Sequence, residues 1–141
     1  MESIEPTPNR HQAAADLDAV AAAQHAVRNR PWPRWIYLAN ALLLGAMALT
    51  PLLESARLGA WITLGIAVFA LNYWAGHQIG TPFAIPTSRG FLAAVALAAA
   101  FLATAMIAGD ADATWLVVAC AAGTSISYTI GSVLHHRSTR R

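Results

Sequence analysis

Apolar residues in this chain gather into four long blocks, 35–53, 58–79, 91–108 and 114–134, separated by short polar breaks. Each is as long as a bilayer-crossing helix, which takes roughly 17–25 residues. None contains Asp, Glu or Arg, and the chain has no lysine. The blocks lack the alternation of a half-buried strand and are rich in Ala and Leu, both good helix formers. A helix also satisfies its own backbone groups in lipid, which an open sheet cannot do. The pattern predicts an all-α integral membrane protein, a bundle of four transmembrane helices.

The breaks predict how the helices are joined. Glu54, Ser55, Ala56 and Arg57 form a very short turn, so the first two helices make an antiparallel hairpin. Residues 109–113 do the same for the last two. Between the hairpins, residues 80–90 hold Pro82 and Pro86 with Gly80 and Gly90 at the ends, which predicts an irregular loop. A domain 35–134 is therefore expected between an N-terminal tail, 1–34, and a short basic tail, 135–141. In the N-terminal tail a helix is expected from about Arg10 to Arg28. Asn9 is a plausible cap with Gln12 three positions on, and Pro31 stops the helix. Ala13, Leu17, Val20, Gln24 and Val27 share one stripe, too weakly apolar for an isolated coiled coil. The alternatives for that helix are to lie on a membrane surface, to pack against another chain or to fray.

Composition agrees with the pattern. The chain has 141 residues, 57% hydrophobic and 11% charged, against about 25% charged for a soluble domain. This excludes a disordered chain and disfavours an ordinary soluble enzyme. No cleavable signal peptide is visible, because an apolar stretch behind a basic start is missing. The net charge of +2 does not point to nucleic acid, because the arginines flank apolar blocks instead of lining a stripe. Their distribution sets the topology instead. With the N-terminus inside, Arg10, Arg28, Arg30, Arg34, Arg89, Arg137, Arg140 and Arg141 are cytoplasmic, and only Arg57 lies outside. Positive charge favours the inner side, so both termini are expected in the cytoplasm of a bacterial inner membrane. Trp32, Trp35 and Trp74 fall at the inner interface, and Trp61 and Trp115 at the outer one.

Chemistry-bearing residues are few. Asn72, His77 and Gln78 sit in the inner half of the second block. They read either as a polar lining for a small ligand, with Tyr128, or as hydrogen-bond partners of the fourth helix, which offers Ser125 and Tyr128. His77, His135 and His136 end the second and fourth blocks; a metal or haem site would need such ligands to converge. Adjacent histidines on a helix point about 100° apart, so only one of the pair can face inward. Ser125 and Ser127 lie near mid-membrane with no expected base. Glu54, Asp110 and Asp112 are read as solvated turns. Cys120 lies inside an apolar block and is read as a packing residue. No catalytic residue, metal site or cofactor is expected. Gly123, Ser127 and Gly131 form a small-residue stripe on the fourth helix, suited to close packing inside the bundle or in a homo-oligomer. Tyr73 and Gly76 match Tyr128 and Gly131 at a spacing of 55, a faint parallel repeat.

The segment Arg28-Asn29-Arg30-Pro31-Trp32-Pro33-Arg34-Trp35, behind an alanine-rich helix and ahead of four apolar blocks, resembles a family of small actinobacterial membrane proteins. Members often stand beside small winged-helix regulators, and the resemblance implies a regulatory or accessory membrane role without catalytic residues. Small multidrug-resistance transporters are also four-helix chains, but they need a glutamate inside the first helix, and here there is none. The expected function is that of a non-enzymatic accessory or regulatory protein with the lipid bilayer and a protein as partners. The alternatives are a small transporter with a polar site between the second and fourth helices and, more weakly, a membrane-embedded enzyme acting on a lipid or isoprenoid.

Overall fold

The computed structural model describes residues 10–28, 32–78, 80 and 88–138. Asn9, the loop prolines Pro82 and Pro86, and the tail arginines Arg140 and Arg141 lie outside these residues. Among the described residues every regular element is helical: α1 (Arg10–Arg28), α2 (Arg34–Leu49), a 3₁₀ segment (Thr50–Ala56), α3 (Arg57–Gln78), α4 (Arg89–Asp110) and α5 (Thr114–Ser138). Three helical stretches are long and apolar enough to cross a membrane: Arg34–Gln78, Arg89–Asp110 and Thr114–Ser138.

The first stretch is not straight. Trp35 and Trp74 have ring centroids 5.8 Å apart, so α2 and α3 fold back on each other. The α-helix ends at Leu49, four residues before the expected block end at 53. Pro51 has no N–H to continue the ladder, and Thr50 turns its hydroxyl onto the Met47 carbonyl at 2.8 Å. The chain then reverses at Glu54, whose φ of 44° and ψ of −107° lie outside the helical region. At 1.5 Å per residue α2 is about 24 Å long, short of the roughly 30 Å hydrocarbon core.

The second hairpin closes through a Schellman motif. Ala113 N–H donates to the Ala108 carbonyl at 2.9 Å and Asp112 N–H to that of Gly109 at 3.3 Å. Asp112 takes the left-handed position with φ 55°, which Asp tolerates better than most residues.

Packing is not that of a square bundle. The most extensive interface is between α4 and α5, followed by α2 with α5; α3 packs on α2 and the 3₁₀ segment but on neither α4 nor α5. Its first residue, Arg57, makes an exposed ion pair with Asp110 of α4. The result is a three-helix core of α2, α4 and α5 with α3 laid against its side. Among the described residues α1 makes no packing contact with the rest, and Leu17 and Val20 on its stripe are exposed.

The core is small and closely spaced. Ala48 and Ala105 are fully buried with Cys120 and Ala121 towards one end, and Tyr37, Ala41, Phe91, Ala98 and Tyr128 cluster towards the other. Outward faces carry Leu42, Ile66, Phe69, Ile107 and Ile126, an apolar surface that a soluble monomer rarely presents and that suits lipid. The exposed hydroxyls obey the same logic. Thr63, Thr104 and Thr129 each donate back to the carbonyl four residues earlier, at 2.7–2.9 Å, so none needs water.

Candidate functional site

Asn72 lies at the α2–α3 contact, and its partner is on α2. Asn72 donates to the Asn40 side-chain oxygen at 2.8 Å, and Asn40 donates to that of Asn72 at 3.2 Å. The second N–H of each amide goes to its own helix, from Asn40 to the Ile36 carbonyl at 3.1 Å and from Asn72 to that of Val68 at 2.7 Å. All four N–H groups of the two amides are therefore used, and Asn40 is only 1% exposed. The pair locks the register of the hairpin. This corrects the expectation that Ser125 or Tyr128 on α5 would hold Asn72, because α3 does not reach α5. Ser125 instead donates to the Ala41 carbonyl on α2 at 3.0 Å. Thr124 donates to the Cys120 carbonyl at 2.9 Å and approaches that of Ala98 on α4 at 3.5 Å.

His77 is exposed near the end of α3, its ring edge-on to Tyr73 with centroids 5.4 Å apart. Tyr128 is buried elsewhere, edge-on to Phe91 at 5.9 Å. The three residues read as a ligand lining, Asn72, His77 and Tyr128, are thus not brought together.

The end of the core near Arg34, Arg89 and Arg137 carries a denser cluster. His135 is 2% exposed and sits between Phe91, 5.3 Å away by ring centroids, and Tyr37, 6.4 Å away. Its Nδ1 has no hydrogen-bond partner among the described residues. The neighbouring His136 is only partly buried, as the angle between successive helical side chains requires. Tyr37 also stacks on Trp32 at 6.4 Å and accepts the Trp32 N–H at 3.4 Å. This ties the Pro-Trp segment to the bundle and aims α2 into it. His77 is on α3, away from His135 and His136, and no group of three or more potential metal ligands occurs among the described residues.

Beside this cluster the start of α2 and the end of α5 border an open groove of about 440 Å³, lined by Arg34, Tyr37 and Leu38 on one side and by Ser132, Val133 and Arg137, with Thr129 and His136, on the other. Its size falls among small-molecule sites, which run from about 300 to 1,000 Å³. Sequence reasoning did not point to it, since its two arginines stand 103 positions apart. The available signal was that both flank apolar blocks on the same expected side.

The small-residue stripe of α5 lies against α4. A Cβ on Gly131 would stand 2.5 Å from that of Ala94, and one on Gly123 would stand 3.0 Å from the Phe101 ring. Ser127 between them is buried. Two further close approaches use Gly45, under Ser125, and Gly109, against Pro51. No protein-family model, curated protein or solved structure matches the chain.

Proposed function

We propose that this chain is a non-enzymatic accessory or regulatory protein of the bacterial inner membrane. It crosses four times through α2 to α5, with both termini and α1 in the cytoplasm, and acts through helix contacts with a protein partner. The observation that carries this reading is the placement of α3. It packs only on α2 and the 3₁₀ segment, with one exposed ion pair to α4, and its outward face presents Ile62, Ile66 and Phe69, the last 72% exposed. The amide of Asn72 and the hydroxyl of Ser125 are meanwhile spent on the bundle itself. Asn72 is consumed by Asn40, and Ser125 by a backbone carbonyl. An accessory role also agrees with the resemblance of the Arg- and Trp-rich juxtamembrane segment to small actinobacterial membrane proteins.

The test is site-specific photocrosslinking in native membranes, with a photoreactive residue at Phe69 and, as a lipid-facing comparison, at Ile126. A stoichiometric protein adduct from position 69 and none from position 126 is expected. Lipid adducts alone at both positions would remove the partner reading. Flux in liposomes that His77→Gln abolishes would replace it with a transporter.

A further inference from the structure

We propose that the groove between the start of α2 and the end of α5 binds an anionic phospholipid, with the phosphate between Arg34 and Arg137 and an acyl chain along Leu38 and Val133. The site rests on the reading of the bundle as membrane-embedded. Three features of the groove carry it.

The first is charge. Arg34 and Arg137 both line the groove, no carboxylate does, and neither arginine makes an ion pair among the described residues. Arg57, at the opposite end, is paired with Asp110. The remaining described acids are Glu54 and Asp112 in the far turns, and Asp16 and Asp18 on α1, which makes no contact with the bundle. A guanidinium offers forked donors that match phosphate oxygens, and basic pockets between helices at the cytoplasmic face are suited to lipid head groups.

The second is direction. From Arg137 the lining runs back along one face of α5 to Thr129, eight residues or about 12 Å along the helix axis. The cationic end is therefore at the helix termini and the rest of the groove points towards the apolar middle. A free anion would use only the mouth, and a zwitterionic lipid would set its own cationic head group beside both guanidinium groups.

The third is the state of the walls. Thr129 donates to the Ser125 carbonyl at 2.7 Å and Ser132 to that of Tyr128 at 2.8 Å. Both hydroxyls are occupied within α5 and ask nothing of an acyl chain. Leu38 and Val133 remain exposed on the flanks, at 60% and 46%.

The full-length chain, purified in a neutral detergent, is titrated separately with dioctanoyl phosphatidylglycerol, dioctanoyl phosphatidylcholine and inorganic phosphate. Binding is read by native mass spectrometry and by thermal stability. Phosphatidylglycerol alone should bind and raise the melting temperature. Arg34→Gln and Arg137→Gln should each weaken it roughly fivefold, and the pair together about 30-fold. The double lysine variant should lose less than the double glutamine variant, and Arg57→Gln should lose nothing. Equal binding of phosphatidylcholine, an equal effect of inorganic phosphate, or unchanged affinity in the glutamine variants would overturn the site. Alkaline extraction of native membranes tests embedding separately. A chain that resists extraction yet does not discriminate between the lipids loses the lipid site alone. A chain that alkali releases loses the membrane reading beneath it.

Discussion

Asn40 and Asn72 show how one polar pair sets the geometry of a hairpin whose other contacts are apolar. An amide in hydrocarbon must find partners, and here each finds the other and its own helix. The pair should therefore respond as a unit. Asn72→Leu removes one amide and strands Asn40, 1% exposed, at a cost of roughly 0.5–2 kcal/mol. Replacing both with leucine leaves no orphan, and such double replacements can be nearly neutral. Thermal unfolding of the two single variants and the double variant in detergent tests this as a cycle. Additive losses would mean that the two amides do not depend on each other. The same pair marks the limit of what single residues disclose. Reflecting Asn72 through the turn at Ala56 lands on Asn40, sixteen positions to either side, so the partner was legible once the hairpin was granted. It is overlooked when α5, with its many hydroxyls, is treated as the richer neighbour.

The helices themselves follow from block length and missing charge: α1, α3 and α4 begin and end within two residues of their expected limits, and α5 runs four residues past its expected end, to Ser138. The end of α2 falls four residues short, where Pro51 and the Thr50 hydroxyl convert the last turn to 3₁₀ geometry. Hydropathy does not carry that information, because 50–53 is as apolar as the helix before it. Which faces meet was less legible. Alanine is so frequent that small residues four apart occur on several helices, and only contact geometry separates the stripes that pack from those that do not. On α5 the stripe packs against α4, and Gly131 is its closest approach. Gly131→Leu has no room beside Ala94 and Phe91, so it should destabilise the core by about 1–3 kcal/mol, the usual cost of overpacking. Gly65→Leu, on α3 where a Cβ would meet nothing within 4 Å, should be far milder. Melting curves in detergent for the two variants compare them directly, and equal losses would mean that the α4–α5 contact is not the tight one.

At the scale of the molecule, the two ends of the helical array differ in sign. Arg34, Arg89 and Arg137 stand at the end where Phe91 meets His135. Glu54, Asp110 and Asp112 stand at the other, with Arg57 neutralised in its ion pair with Asp110. Because translocation of arginine is disfavoured, the basic end should remain in the cytoplasm. Lone, buried Cys120 permits a direct measurement once it is replaced with alanine. In that background Ala111→Cys occupies the exposed α4–α5 turn and Ser138→Cys the exposed end of α5. An impermeant maleimide added to intact cells should label position 111 and leave position 138 unlabelled until the membrane is opened. Labelling of position 138 alone would invert the orientation. It would also place Arg34 and Arg137 on the outer leaflet, away from the cytoplasmic lipids whose negative charge gives their groove its proposed occupant. Labelling of both positions in intact cells would mean an even number of crossings between them, and α5 could then not be the single span that its 25 residues allow. The pattern of the two labels thus decides the orientation and the crossing of α5 in one experiment, independently of any partner or ligand.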